Sequence, residues 1–199
     1  MRVILIRHGE TKGNREKRYI GRTDEPLLDP AFQAATHSAR ERVQNVYVSP
    51  MLRAQQTARR LFPEAELRLL EDLREMDFGT FEGKTAKELE NDPEYRHWVG
   101  GGCILPCPGG DGMEGFAARI KAAFLQAVQE SLLRGDDHLA IVAHGGTIMA
   151  IMAQFAYPKR SYHEFQVRNL SGYTATLDEN TWEQEPALTA YEVLPALSV

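Results

Sequence analysis

Four side chains suited to handling an anion stand at one kind of place in this sequence. Arg7 and His8 follow the apolar run Val3-Ile4-Leu5-Ile6, Arg53 comes shortly after Val46-Tyr47-Val48, and His144 follows Leu139-Ala140-Ile141-Val142-Ala143. A neutral imidazole offers a nucleophilic nitrogen, and guanidinium groups offer planar forks of donors that match phosphate oxygens. Two histidines and two arginines meeting at one edge would make a locally cationic cavity rich in donors, which suits a dianionic phosphoryl group. Taken singly, each has an ordinary reading: Arg-His-Gly by itself is weak evidence, an arginine on a helix is usually solvated, and His144 could be a satisfied core histidine. Their shared position beyond apolar runs is what singles them out.

Those runs are the elements that must position them. Residues 3–6 and 139–143 are continuous apolar stretches, the pattern of central strands buried on both faces of a parallel sheet. Residues 46–48 read as a shorter strand. Ser49-Pro50 then reads as the cap and first position of a helix from Met51 to about Leu61, with Arg53 in its first turn. Asp29-Pro30 opens another predicted helix, with Phe32, Ala35, Ala39 and Val43 at helical spacing. Phe116, Ile120, Phe124, Ala127, Val128 and Leu132 predict a long amphipathic helix over 116–133, stopped by Gly135. A further helix is predicted over 147–155, with strands over 67–70, 173–177 and 191–194. Residues 71–115, punctuated by glycine and proline, read as a long functional excursion with short helices near 86–89 and 93–98. Alternating strands and helices predict an α/β sandwich with a mainly parallel sheet, and ligands of such sheets gather beyond the carboxyl ends of the strands.

At 199 residues, with 43 % hydrophobic and 26 % charged side chains, the chain has the balance of one soluble domain, expected to span 1–199. A net charge of −5 removes the overall positive field that nucleic-acid binding needs, without excluding a local cationic pocket. No run approaches the ~18 apolar residues of a membrane span, so a cytoplasmic location with no membrane partner is expected. Cys103 and Cys107 stand without a second ligand pair and read as loop thiols, so no metal site is expected.

Four segments carry a more specific signal. They are Leu5-Ile6-Arg7-His8-Gly9-Glu10-Thr11 with Asn14, Ser49-Pro50-Met51-Leu52-Arg53-Ala54-Gln55-Gln56-Thr57-Ala58, Leu73-Arg74-Glu75-Met76-Asp77-Phe78-Gly79 followed by Phe81-Glu82-Gly83, and Val142-Ala143-His144-Gly145-Gly146. In this order they resemble the motifs of the histidine phosphatase superfamily, the phosphoglycerate-mutase-like proteins, over residues 2 to about 178. The resemblance implies a three-layer α/β/α sandwich and a phosphomonoesterase that works through a phosphohistidine without metal or other cofactor. His8 would be the nucleophile, Arg7, Arg53 and His144 would hold the phosphoryl oxygens, and Asn14 would add a neutral donor. Glu75 would protonate the leaving group and later deprotonate the hydrolytic water. Glu82 is a competing acid, for which a structural carboxylate binding loop amides is the favoured reading, as it is for Asp77. His37, His97, His138 and His163 read as solvated.

The stretch Tyr19-Ile20-Gly21-Arg22-Thr23-Asp24-Glu25-Pro26-Leu27 is similar to one in α-ribazole phosphatases and related broad phosphatases, which implies Gly21 and Thr23, together with Gly145, as substrate-binding residues. Tyr95, Trp98 and residues 108–117 resemble the lid of those enzymes, with the two aromatics either facing a ring or packing the lid. The implied substrate is a small phosphorylated metabolite, α-ribazole 5′-phosphate first. Alternatives are a cofactor-dependent phosphoglycerate mutase, a sugar-phosphate phosphatase and a catalytically silent phosphate-binding module. A mutase must grip a second anion; Arg96, Arg119 and Lys121 are thinly spread and residues 183–199 contain no lysine or arginine, so hydrolysis is expected. The chain departs from the family pattern in lacking a glycine near the start of 30–43, and in Gly109-Gly110-Asp111-Gly112 where Gly-Gly-Glu-Ser is commoner. A monomer or a homodimer is expected.

Overall fold

The structure, a computed structural model, describes residues 1–28 and 43–195. The predicted helix from Asp29, and His37 with it, therefore lies outside the described residues apart from Val43. Strands β1 (Arg2–Arg7), β2 (Asn45–Val48), β3 (Glu66–Leu69), β4 (His138–Ala143), β5 (Gly172–Leu177) and β6 (Leu188–Leu194) form one sheet in the order β3-β2-β4-β1-β5-β6. The first four neighbours run parallel, while β5 and β6 add antiparallel to β1 and to each other. The described helices are α1 (Lys12–Arg15), α2 (Leu52–Leu61), α3 (Pro93–Gly100), α4 (Met113–Arg134) and α5 (Gly145–Phe155).

Side chains alternate across a strand, so each central strand feeds two cores. Val3 and Leu5 of β1 join Leu139 and Ile141 of β4 against α4 and α5, through Phe116, Ile120, Phe124, Ile148 and Ile151. Ile4 and Ile6 join Val46, Val48, Ala140 and Val142 against α2, through Ala54, Ala58 and Leu61. Helices on both faces make three layers. Residues 3–6 of β1 and 139–143 of β4 are all apolar because both of their faces are covered. The helix α4 ends where Gly135 adopts φ +71°, a left-handed cap that glycine reaches at little cost. Where β5 pairs with β1, a Cβ on Gly172 would lie 1.7 Å from the Leu5 carbonyl oxygen, so only glycine lets these two backbones meet.

Register brings the strand ends level. Arg7 sits opposite Ala143, and Val48 opposite Val142. The His8 amide donates to the Ala143 carbonyl and the Ser49 amide to the Val142 carbonyl, both at 2.9–3.1 Å. His8, Ser49 and His144 consequently leave the sheet side by side.

Three expectations change. Ser49-Pro50 does not cap the second helix: α2 begins at Leu52 after Met51, with no side-chain cap, and the Ser49 hydroxyl is taken by a histidine. Residues 86–89 form turns rather than a helix, closed by single bonds such as Leu89 N–H to the Thr85 carbonyl. The helix predicted from Thr147 starts at Gly145, with the extended His144 as its N-cap between strand and helix.

Within 71–115, two 3₁₀ turns (Glu71–Leu73 and Gly79–Phe81) precede α3. Asp92 caps α3 by accepting from the Glu94 and Tyr95 amides, and Pro93 fills its first position. Phe81, Leu89, Tyr95, Trp98 and Cys107 make a small core of their own, with Tyr19 and Phe78 packed against it. Gly79, at φ +53°, ties this region together: a Cβ there would lie 2.1 Å from the Pro108 carbonyl oxygen.

Candidate active site

His8 stands one residue past β1 and is 3 % exposed. Its Nδ1 lies 2.6 Å from the Gly9 carbonyl oxygen. A carbonyl can only accept, so Nδ1 carries the proton and Nε2 keeps its lone pair. Burial first, then the charges of Arg53 and Arg7, hold the imidazole well below its ordinary value of 6.5. At neutral pH His8 is therefore uncharged and has a free nucleophilic nitrogen. Asn169 braces the same backbone, donating to the carbonyls of His8 and Gly9 at 3.0 and 3.2 Å.

Its neighbours are cationic or donors. Arg53, fully buried in the first turn of α2, donates to the Thr23 and Gly21 carbonyls at 2.7 and 2.8 Å. Arg7 donates to the Val167 carbonyl at 2.8 Å, with its Nε side facing Gly145 at the start of α5. His144 Nε2 lies 2.7 Å from the Ser49 hydroxyl, and its ring stands edge-on to His8 with centroids 5.1 Å apart. Burial, with the charge of Arg53 next, also holds His144 well below 6.5. Arg7 Nε, Arg53 Nε and His144 Nδ1 are buried and have no hydrogen-bond partner among the described residues. A buried donor without an acceptor is costly, and two guanidinium Nε–H groups of this kind beside one histidine make a site prepared for oxygen atoms.

Glu75 approaches from the 3₁₀ turn after β3. Its two oxygens accept from the Met76 amide at 3.0 Å and the Gly146 amide at 2.9 Å. Burial raises its pKa above 4.5 in spite of these bonds and of Arg7 and Arg53 nearby. Arg119 of α4 fixes the segment that carries it, donating to the carbonyls of Asp72, Arg74 and Glu75 and to the Asp111 carboxylate. A cavity of about 510 Å³ adjoins this cluster, reaching Arg7 and Glu75 while His8, Arg53 and His144 lie behind its lining. Arg7, Asn14, Glu75, Gly145 and Gly146 line its polar side, and Tyr19, Phe78, Trp98 and Tyr162 form apolar walls.

The family model for the histidine phosphatase superfamily (branch 1) matches residues 3–186. The chain belongs to that superfamily. It is a phosphatase enzyme of the branch. A relative from Hydrogenobacter thermophilus, provisionally named phosphoserine phosphatase 2, is 34 % identical over 76 % of each chain. An Enterobacter protein provisionally named phosphoglycerate mutase GpmB is 29 % identical over 92 % of this chain and 87 % of its own. Among solved structures, an Escherichia coli protein provisionally named α-ribazole-5′-P phosphatase superposes with a TM-score of 0.80, at 22 % identity, over 100 % of this chain and 98 % of that one. This last likeness shows the superfamily's fold, a mixed α/β architecture around a six-stranded sheet.

Of the residues singled out in the sequence, Arg7, His8, Arg53, Glu75 and His144 come together at the strand ends. Asn14 lines the cavity, its side-chain oxygen accepting from Asn169 at 3.1 Å and from the Thr11 amide at 3.3 Å. Gly145 lines it too, whereas Gly21 and Thr23 are not among the lining residues: their carbonyls carry Arg53. Glu82 accepts from the amides of Gly21, Arg22 and Phe78 and from the Thr23 hydroxyl, which is the structural reading of that carboxylate. Asp77 likewise accepts from the Gly79 amide and pairs with Arg22. Trp98 faces the cavity, but Tyr95 turns inward, its hydroxyl 2.9 Å from that of Tyr19. Cys103 and Cys107 are thiols, and burial pushes Cys107 up to about 12. Sequence reasoning passed over Asn169 and Tyr162, took Ser49 for a helix cap and counted Arg119 only among thinly spread basic residues. Only Ser49 had a visible signal, its place in the second motif, and that signal resembled a helix cap.

Proposed function

We propose that this chain hydrolyses phosphomonoesters by passing the phosphoryl group through Nε2 of His8, without a metal. The observation that carries this reading is the Nδ1 bond from His8 to the Gly9 carbonyl, which leaves Nε2 unprotonated among buried guanidinium donors and beside a carboxyl of raised pKa. In-line attack by Nε2 forms the N–P bond as the ester P–O bond breaks. Arg7, Arg53 and His144 offset charge on the equatorial oxygens, with Asn14 and the start of α5 at Gly145 as further donors. Glu75, protonated, gives its proton to the leaving oxygen; as carboxylate it then deprotonates the water that cleaves the N–P bond. Two arginines thus supply the positive charge that a metal would otherwise bring, and the neutral His144 adds a hydrogen bond. Residues 1–199 are read as one cytoplasmic domain, monomeric or dimeric, with 71–115 as its lid-like excursion.

p-Nitrophenyl phosphate turnover in EDTA tests the mechanism. Wild type should keep its rate, and His8→Ala should lose about a thousandfold or more. Undiminished turnover in the variant, or dependence on added metal, sinks it. Acid-labile, base-stable labelling of His8 separates the enzyme from a silent phosphate-binding module.

For the substrate, cavity size and aromatic walls favour a ring-bearing alcohol, and α-ribazole 5′-phosphate is the first candidate. Phosphoserine is the second, from the relative that is 34 % identical. Against it stands the cavity-lining Arg18, the cation that could meet a carboxylate, which already pairs with Glu16 and Glu88. Relative kcat/KM on the two esters decides. With 3-phosphoglycerate, release of phosphate is expected; predominant isomerisation would make the enzyme a mutase.

A further inference from the structure

Tyr162 belongs to none of the motifs, yet its side chain lines the cavity beside Glu75. It opens a 3₁₀ turn (Tyr162–Phe165) packed on α5. Its hydroxyl lies over the first turn of that helix, against Gly146. A Cβ on Gly146 would lie 3.0 Å from the tyrosine hydroxyl and 2.4 Å from Glu75 Oε1. Phenol and carboxyl thus flank a single spot left open by glycine. From the hydroxyl to the Gly146 carbonyl oxygen is 3.5 Å, too long to hold its proton firmly. Burial, reinforced by the charge of Glu75, pushes the phenol above its ordinary value of 10, so it remains a neutral donor wherever the enzyme works.

We propose that Tyr162 is a second catalytic group at the leaving-group oxygen, donating a hydrogen bond to it while Glu75 protonates it. The inference rests on His8 and Glu75 having the roles proposed above. In the first step the Nε2 lone pair forms the N–P bond, the ester P–O bond breaks, and the Glu75 proton goes to the departing oxygen. Tyr162 keeps its proton throughout. Its hydrogen bond stabilises negative charge on that oxygen whenever P–O cleavage runs ahead of proton transfer, so it contributes most for basic leaving groups.

Tyr162→Phe removes only the oxygen and keeps the ring where it packs against His163. The test compares kcat/KM for phenyl phosphate and p-nitrophenyl phosphate, which share a ring and differ chiefly in leaving-group basicity. For this mechanism kcat/KM reports the first phosphoryl transfer, whatever the rate of dephosphorylation. The expected loss is about tenfold or more on phenyl phosphate and within about threefold on p-nitrophenyl phosphate. Equal losses on both esters would reduce Tyr162 to a packing residue, and no loss on either would remove it from the site; both overturn the proposal. An unchanged urea midpoint for the variant shows that the fold is intact. Failure of the parent reading looks different: His8→Ala would then keep wild-type turnover, whatever Tyr162→Phe does.

Discussion

His8 and Glu75 are pushed in opposite directions by the same burial, because losing water penalises an imidazolium and a carboxylate alike. The result is a histidine that stays neutral well below 6.5 and a carboxyl that keeps its proton above 4.5. In the proposed mechanism a nucleophile and an acid are then both ready over a shared span of pH, the division of roles that displaced pKa values produce. On the acid side, activity should survive until His8 protonates; on the alkaline side it should fall as Glu75 ionises. Glu75→Gln cannot titrate. Its pH profile of kcat/KM with p-nitrophenyl phosphate should have a lower plateau and lose the alkaline limb that wild type shows. An alkaline limb retained in full by the variant would take the acid role away from Glu75. At this scale much was legible, since chemistry lies in residue types at motif positions. Ser49 was not: a serine before proline ahead of a helix is a cap by local rules, and only the level ends of β2 and β4 turn its hydroxyl to His144.

Between elements, the turn at 21–23 is the part to watch. Its carbonyls hold the Arg53 guanidinium, while its amides and the Thr23 hydroxyl are held by Glu82. One carboxylate thereby sets a turn that sets an arginine, through contacts about 30 and 60 residues apart in sequence. Truncation in Glu82→Ala leaves those donors without their acceptor. It should cost about 1–3 kcal/mol in urea unfolding, with the half-exposed part of the network contributing least, and lower kcat/KM by displacing Arg53. An unaltered urea midpoint together with unaltered kinetics would show the turn to be held by other means. The strands and the long helices were readable because apolar periodicity is a local signal. Residues 86–89 were misread as helix because a few favourable residues do not outweigh the cost of nucleating one without further turns.

Across the whole molecule, a net charge of −5 surrounds a crevice holding the buried Arg53, the half-buried Arg7 and two neutral histidines. That arrangement ties stability to pH. When the chain unfolds, His8 and His144 regain their ordinary affinity for protons, so below about 6.5 the unfolded state binds more protons than the folded one. Stability then rises with pH, by up to about 1.4 kcal/mol per pH unit for each histidine. Glu75 acts the other way, since its folded form holds a proton that the unfolded form releases above 4.5. Two histidines against one carboxyl leave a net gain in stability from pH 5 to pH 6.5. Urea midpoints across that range should climb, and the climb should flatten in His144→Asn; a flat wild-type profile would mean that the histidines are not held neutral.

Apolar runs visible locally determined the mainly parallel sheet and set Arg7, His8, Arg53 and His144 near strand ends, while the resemblance of the motifs pointed to the superfamily and to Glu75. Tertiary structure alone decided the supports. Ser49 under His144, Arg119 behind Glu75, Asn169 under His8 and Tyr162 beside Gly146 all depend on contacts between segments far apart in the chain, and such contacts leave no periodicity or spacing to read. The sequence names the groups that can act, and the fold sets their protonation and direction, because burial and hydrogen-bond partners exist only once the strands are side by side.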